Sequence, residues 1–244
     1  MAIRRAIMLF IMAAKQLIDL SHTISKGLIT YKGLPAPIIC DFLSREQSRA
    51  HYAPGTEFNI AKIEMVANTG TYLDSPFHRY EDGKDLSELE LSSLADLDGI
   101  VVKVNLEAKA PTSRRTPSTP NRAIDVDALE DLDVKGKAVL IHTGWDVHWE
   151  TDQYFEGHPF LTKEAAHYLA DKGATLVGID SYNIDDTADL TRPAHSILLG
   201  ADIPIVEHMC NLGNLSDEAF KFFAVPVKVK GMGTFPVRAF AIIE

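Results

Sequence analysis

The segment from Asn68 to Tyr80 carries polar side chains at even spacing, which is typical of a strand that supplies an active site. Four of these side chains are separated by 4, 2 and 4 residues: Asn68, Tyr72, Asp74 and His78. In an extended or gently bulged backbone, residues at even spacing point to the same face. We therefore expect one pocket to hold an amide, a phenol, a carboxylate and an imidazole.

This segment resembles the His-x-Gly-Thr-His-x-Asp-x-Pro-x-His signature of the cyclase family of metal-dependent hydrolases, which includes bacterial kynurenine formamidases and isatin hydrolases. The matching residues are Gly70, Thr71, Asp74, Pro76 and His78. Two positions depart from the signature, because Asn68 and Tyr72 stand where the family has its first two histidines, both metal ligands. The chain therefore resembles a variant branch of the family.

The resemblance covers roughly residues 17 to 244 and continues beyond one motif. Four further runs are similar to family strands: 17–24, 176–180, 205–208 and 235–239. His195 precedes Glu207 by 12 residues, the interval typical of the family's last two ligands. The resemblance implies an α/β protein with the swivelling β/β/α cyclase-type fold, a sheet-rich core and peripheral helices. It also implies a homodimer or homotetramer.

The resemblance assigns the metal ligands to Asp74, His195 and Glu207. Two carboxylates and one imidazole form a mixed oxygen and nitrogen set that can hold Zn²⁺, Mn²⁺ or a similar ion, with positions left for water and substrate. In the family, the aspartate bridges two ions, and the paired histidines hold one of them. Because this chain lacks both of those histidines, we expect one divalent ion per chain.

The remaining polar residues suggest roles in catalysis and substrate binding. His78 suits a proton shuttle, since an imidazole titrates near neutrality. Asn68 offers an amide to a substrate carbonyl, and the phenol of Tyr72 donates a hydrogen bond or, if ionised, acts as a ligand. Tyr72 is a candidate for both substrate binding and catalysis. His142 ends a predicted strand before a glycine turn, where pockets often form, and is a candidate substrate contact.

Three functions remain open from the sequence. The first is a metal-dependent hydrolase that opens an acyl C–N or C–O bond in a small amide, formamide or lactone, with His78 as general acid and base. The second is an enzyme of the same fold with altered chemistry, such as a lyase, dehydratase or cyclase that uses Tyr72 and His78. The third is a small-ligand-binding protein without turnover.

Composition narrows the partners of the chain. With 244 residues, of which 46% are hydrophobic, the chain can bury a full core. The formal net charge of −10 argues against nucleic acid and anionic membranes, because phosphate groups require clustered Lys and Arg. Cys40 and Cys210 do not form a multiple-bridge framework, and we expect free thiols in a reducing compartment.

The first fourteen residues resemble a short signal peptide, with two arginines before an apolar run. The run is too short to span a bilayer, and its cleavage pattern is poor. We therefore interpret residues 1–14 as an extension or a mis-assigned start, followed by a single cyclase-like domain at 15–244. A cytoplasmic protein follows from this interpretation, and a periplasmic protein follows if the signal is real.

Local patterns predict more strands than helices. The predicted strands are 17–20, 58–66, 100–105, 138–142, 175–179, 204–206, 223–230 and 237–242. The predicted helices are 163–171 between Thr162 and Gly173, 217–222 after Ser216, and a short helix at 125–132. Three prolines between 107 and 122 predict a surface loop.

Overall fold

The computed structural model describes residues 15–104, 122–215 and 219–243. The leader at 1–14, the predicted loop at 107–122 except its last residue, and the predicted helix start at Ser216 lie outside the described residues. Among the helices in the described ranges, none has the length and apolar character needed to cross a membrane.

The described chain consists mainly of short strands. They are β1 Gln16–Asp19, β2 Ile38–Leu43, β3 Ile60–Glu64, β4 Tyr72–Asp74, β5 Leu97–Lys103, β6 Ala123–Ile124, β7 Ala138–His142, β8 Phe160–Leu161, β9 Leu176–Ile179, β10 Ile205–Glu207, β11 Phe220–Phe223, β12 Thr234–Pro236 and β13 Phe240–Ile243. The α-helices are α1 Arg45–Ser48, α2 Lys163–Lys172 and α3 Pro193–Gly200, and single 3₁₀ turns include Pro76–His78 and Val126–Ala128.

Nine of these strands form one mixed sheet in the order β1, β13, β11, β5, β7, β9, β10, β4, β12. The four strands from β5 to β10 in this order are parallel neighbours, and the other pairs are antiparallel. Strand β4 pairs with β10 on one side and with β12 on the other. Three segments that are distant in the chain therefore meet at one edge of the sheet.

The parallel strands are buried on both faces, which explains their nearly continuous apolar sequences. In β7, Leu140 packs into one apolar cluster, whereas Val139 packs into a second cluster on the opposite face. Helices α2 and α3 cover the second face, with Leu169 and Leu198 among their buried side chains. The prediction of an α/β fold with a sheet-rich core and peripheral helices is confirmed.

Helix α2 follows its predicted local signals. The side chain of Thr162 accepts a hydrogen bond from the backbone N–H of Ala165, and Gly173 closes the helix with a φ of 77°. The predicted bounds of 163–171 differ from Lys163–Lys172 by one residue.

Three other predictions of secondary structure are wrong. The run predicted as a helix at 217–222 contains β11, because Phe220 and Phe222 alternate into the core while the strand pairs with β5 and β13. The predicted strand at 223–230 ends at Phe223. The predicted helix at 125–132 contains only the 3₁₀ turn Val126–Ala128.

Strands β2 and β3 form a separate two-stranded ribbon. Every residue of β3 is exposed, and so are all residues of β2 except Leu43. The exposed side chains include Phe42 and Ile63, at 75% and 51% exposure. A large apolar surface on an isolated ribbon is typical of a face that contacts another molecule.

Candidate active site

The segment that carries the first candidate residues begins with a tight turn and enters strand β4. Gly70 has a φ of 69°, and a Cβ there would lie 2.7 Å from the side chain of Ile24, so the position favours glycine. Within β4, Tyr72 and Asp74 lie on one face, and Leu73 packs into the core on the other.

The backbone then turns at Pro76, and the 3₁₀ turn Pro76–His78 returns His78 to the side of Asp74. Strand β12 packs closely against this turn. A Cβ at Gly233 would lie 2.4 Å from the backbone nitrogen of His78, so only glycine allows this approach. The Nδ1 atom of His78 lies 3.7 Å from Oδ1 of Asp74.

The hydroxyl of Thr234 lies between these two side chains. It donates a hydrogen bond to Oδ1 of Asp74, and its oxygen lies 2.9 Å from Nδ1 of His78. A carboxylate only accepts, so the single hydroxyl proton points to Asp74 and the oxygen accepts from Nδ1–H of His78. This arrangement leaves Nε2 of His78 with a free lone pair, as a general base requires.

Helix α3 positions His195, which is only 6% exposed. Pro193 occupies the first turn of this helix, a position where proline is favoured. Asp185 accepts hydrogen bonds from the backbone N–H groups of Ala194 and His195, at 2.6 and 3.1 Å. The same carboxylate lies 2.6 Å from Nδ1 of His195. Asp185 therefore fixes the ring so that Nε2 is available as a ligand.

Glu207 ends strand β10 and is 1% exposed. Its Oε1 atom accepts from the backbone N–H of Ile184 at 2.7 Å, and its Oε2 atom accepts from the phenol of Tyr72 at 2.7 Å. Burial raises the pKa of Glu207, and the neighbouring His195 opposes that shift. Burial, followed by the charge of Glu207, raises the pKa of Tyr72 well above its usual value. The Tyr72 phenol is therefore a protonated donor that holds Glu207 in place.

A second tyrosine extends this network. The Tyr31 hydroxyl accepts from the amide of Asn183 at 2.7 Å and lies 3.1 Å from the Tyr72 hydroxyl. It also lies 3.4 Å from Oε2 of Glu207. Glu207 thus contacts two phenols and one backbone donor, so its carboxylate has a fixed orientation.

The ligand atoms predicted for the metal face one another. Nε2 of His195 lies 3.7 Å from Oδ2 of Asp74 and 3.7 Å from Oε1 of Glu207. Ligand atoms around a tetrahedral ion with bonds of about 2.0 to 2.2 Å lie about 3.3 to 3.6 Å apart. Oδ2 of Asp74 is buried and has no hydrogen-bond partner. Burying an unpaired polar atom costs free energy, and a bound cation removes that cost. Asp74 and His195 therefore fit a divalent ion, with Glu207 within 3.7 Å of the His195 ligand atom.

The electrostatics of the site favour a cation. Burial opposes a charged imidazole, yet the pKa of His195 is raised to about 10. The groups that raise it are the carboxylates of Glu207, Asp185 and Asp74. Among the described residues, the group whose ligand atoms all lie within 4.8 Å of one another is Asp74, His78 and His195, and Glu207 is not part of it. The geometry alone therefore allows His78 either to bind the ion or to move protons beside it.

A cavity of about 340 Å³ opens onto this cluster. Its lining consists of Tyr31, Leu34, Asn68, Tyr72, His78, Arg79, Asn183, Leu190, Thr191, Arg192, His195 and Glu207. The volume is sufficient for a small molecule. Asn68 lies on this wall, as its predicted contact with substrate requires.

The structure places His142 elsewhere. Its Nε2 atom lies 3.8 Å from Oδ2 of Asp180, and its ring approaches Gly213. Asp180 also accepts from the backbone N–H groups of Thr143 and Gly144. His142 does not line the cavity, so the structure brings together the predicted site residues except this one.

Three contributors to the site were not predicted: Tyr31, Asp185 and Thr234. Asp185 had no local signal, because 10 residues separate it from His195 and the residue that flanks the helix is Arg192. Thr234 had none, because 156 residues separate it from His78.

Comparisons with known proteins identify the family of this chain. Residues 18–186 match the family model described as "Putative cyclase". The kynurenine formamidase of Bacillus anthracis is 26% identical over 230 residues, which cover 93% of this chain and 98% of that protein.

Two solved structures share the fold. A potential metal-dependent hydrolase with cyclase activity has a TM-score of 0.74 and 24% identity, with 95% of this chain and 99% of that one covered. Isatin hydrolase A from Labrenzia aggregata has a TM-score of 0.77 and 19% identity, with 94% of each chain covered. At these identities the two structures show a shared fold. From the match over residues 18–186, the chain belongs to the cyclase family.

Proposed function

We propose that the protein hydrolyses an acyl C–N or C–O bond in a small amide, formamide or lactone, with one divalent ion per chain. The observation that carries this proposal is the buried, unpartnered Oδ2 of Asp74, which faces the free Nε2 of His195. The name of the kynurenine formamidase relative supports an amide or formamide among these substrates.

Asp74, His195 and Glu207 would hold the ion, and their oxygen and nitrogen donors suit Zn²⁺ or Mn²⁺. When bound, such an ion polarises the substrate carbonyl and lowers the pKa of water. Tyr72 keeps Glu207 oriented through its 2.7 Å hydrogen bond. Asn68 and Tyr72 replace the histidines of the family signature, which supports one ion in this chain.

His78 is the proposed general base and acid. Its Nδ1–H is engaged by Thr234, so its Nε2 can take a proton from water and return it to the leaving nitrogen or oxygen. His78 lines the cavity, and its side chain is 36% exposed, so substrate can reach it. The free lone pair on Nε2 supports proton transfer rather than a structural role.

Metal analysis combined with a panel of cyclic amides, lactones and N-formyl aromatic compounds tests this proposal. On the substrate that the panel identifies, His78→Ala should keep its metal and lose about 10²- to 10⁴-fold in turnover, the usual contribution of a general acid or base. Tyr72→Phe is the contrast variant. A larger loss in Tyr72→Phe, with His78→Ala nearly silent, would instead favour a lyase, dehydratase or cyclase that uses the phenol.

We also infer that the protein forms a homodimer or homotetramer through the β2–β3 ribbon. The exposed apolar side chains of that ribbon support this inference. Phe42→Glu should reduce the mass measured by analytical ultracentrifugation. Val147→Glu is a matched control, since Val147 is also 75% exposed but lies outside the ribbon. A monomeric wild-type protein would contradict the inference.

The single domain at 15–244 gains support from the pairing of β1 with β13, which joins the two ends of the described chain. The cytoplasmic location stays a prediction, because it depends on residues 1–14.

A further inference from the structure

Two arginines line the cavity without an acidic partner. Among the described residues, neither Arg79 nor Arg192 forms an ion pair with a carboxylate. Nε of Arg79 donates to the hydroxyl of Ser196 at 3.1 Å, and Nη1 of Arg192 donates to the backbone oxygen of Asp186 at 3.0 Å. These neutral contacts orient the two guanidinium groups, and no described carboxylate forms a close ion pair with either.

Three other arginines among the described residues form ion pairs, whereas the exposed Arg45 does not. Arg49 lies 2.6 Å from Glu57, Arg238 lies 2.7 Å from Asp19, and Arg122 lies 3.7 Å from Asp186. The chain has 34 acidic residues and only 24 Lys and Arg, so carboxylate partners are abundant. Two unpaired arginines on the wall of one cavity therefore require another explanation.

The backbone at Arg192 provides a second observation. Its φ of 49° and ψ of 62° place it in the left-handed region, which is uncommon for a residue with a long side chain. Arg192 occupies the N-cap of α3 but makes no capping bond with its side chain, because Asp185 accepts from the first N–H groups of the helix. Backbone conformations of this kind cluster at binding sites, where the surrounding structure holds a side chain in position.

Asp189 lies close to Arg192 in the chain but has other partners. Its Oδ1 atom accepts from the backbone N–H and the hydroxyl of Thr191, at 2.9 and 2.7 Å. The guanidinium of Arg192 thus remains available on the cavity wall.

Both arginines are adjacent to residues of the proposed reaction. Arg79 directly follows His78, and Arg192 precedes His195 by three residues at the start of α3. Both arginines line the same cavity as His78 and His195. An anion bound by these arginines therefore lies within the length of a small molecule from the reacting bond.

We propose that Arg79 and Arg192 bind a carboxylate of the substrate, so that the enzyme acts on acyl compounds carrying a free acid group. This inference rests on the proposed hydrolase function. The planar guanidinium matches a carboxylate with two parallel hydrogen bonds. Leu34 and Leu190 on the same wall offer apolar contact to the carbon skeleton of such a substrate.

Paired substrates test this proposal. The 2- and 3-formamidobenzoates are compared with the corresponding formamidobenzamides, which have a similar shape but no charge. We expect wild-type kcat/KM to favour the acids, and Arg79→Gln or Arg192→Gln to reduce that preference by about 10- to 100-fold, as expected for loss of a charged hydrogen bond. Arg238→Gln is the control, since Arg238 is an exposed partner of Asp19 and should leave the preference unchanged.

A binding measurement keeps the proposal testable without turnover. Benzoate and benzamide are titrated calorimetrically into wild type, each single variant and the double variant, with metal content measured in every sample. Benzoate should bind about 10- to 100-fold more weakly to the variants. If Arg192→Gln does not fold, Arg79→Gln still tests the proposal, because Arg79 is exposed and its substitution should not disturb folding.

The outcomes separate the two proposals. An unchanged affinity for benzoate in the double variant, or a wild-type enzyme without preference for the acids, would overturn the carboxylate site. If no compound in the panel is hydrolysed, the hydrolase proposal fails, while the benzoate comparison still decides whether the arginines bind an acid.

Discussion

Replacing Thr234 with valine tests the link between Asp74 and His78 most directly. The substitution keeps the shape of the side chain and removes the hydroxyl that contacts both residues. Asp74 is fully buried, and its Oδ2 atom already has no partner, so the variant leaves both carboxylate oxygens without a hydrogen bond. His78 loses the acceptor that fixes its proton on Nδ1.

The expected loss of stability in Thr234→Val follows from the burial and charge of Asp74. Loss of a hydrogen bond to a buried charged group costs about 1.5 to 3 kcal/mol. For a chain of this size, that cost lowers the melting temperature by about 3 to 12 °C. The effect should be largest in chelated protein, where no ion compensates Asp74. Turnover should fall by at least about 10-fold, but by less than the roughly 10²- to 10⁴-fold that complete loss of a general base costs.

The assay combines thermal unfolding of chelated protein with the pH profile of kcat in metal-loaded protein. Thr234→Ser is the matched control, because it keeps the hydroxyl and should retain stability and most of the turnover. The reasoning would be refuted if Thr234→Val matched Thr234→Ser in both measurements, since the hydroxyl would then position neither side chain.

The remaining predictions concern the metal and acid stability. Dialysed protein should contain one equivalent of divalent metal per chain, and His195→Ala or Glu207→Gln should lower metal occupancy and melting temperature together, because an ion that binds only the folded state stabilises it. Two equivalents, or equal occupancy in the variants, would contradict the ligand assignment. Burial lowers the pKa of His22 to about 4 despite the opposing charge of Asp146, so the unfolded chain binds a proton below about pH 6.5 that the folded chain does not. Stability should therefore be full above pH 6.5 and fall toward pH 4. The free energy of unfolding is measured in urea at pH 4.5 and 7.5. His22→Phe keeps the stacking on Trp149 and should lose about 2 kcal/mol less stability between these pH values than the wild type. If the variant loses as much stability as the wild type, His22 is not the cause.

The proposals differ in what their failure would mean. Loss of metal in His78→Ala would make His78 a ligand, which the 4.8 Å group of Asp74, His78 and His195 allows. The hydrolase proposal would survive that result, but proton transfer would need another residue. Failure of the carboxylate site would leave the metal site intact, because Arg79 and Arg192 form no part of it.

The sequence alone determined those structural elements that depend on contacts between residues near one another in the chain. The cap at Thr162 and the closing Gly173 define α2, because both signals act on the helix that they flank. The even spacing of Tyr72 and Asp74 placed them on one face of a strand, since side chains alternate in an extended backbone. Gly70, Thr71, Asp74, Pro76 and His78 of that segment, together with runs elsewhere in the chain, carried the resemblance to the family.

Tertiary structure decided what local patterns do not encode. The acidic start of the run at 217–222 favours a helix, but pairing with β5 and β13 makes Phe220–Phe223 a strand, because burial of its alternate side chains outweighs local propensity. Thr234 joins Asp74 only because β12 pairs with β4.

The same distinction applies to the ligands. His195 and Glu207 were identified by type and spacing, but the sequence did not show that Asp185 orients one and that Tyr72 and Tyr31 orient the other. Those partners come from separate elements, and their distances depend on how the whole sheet is assembled. The sequence alone therefore determined which chemical groups are available, whereas the tertiary structure decided which of them are held, buried and left free to react.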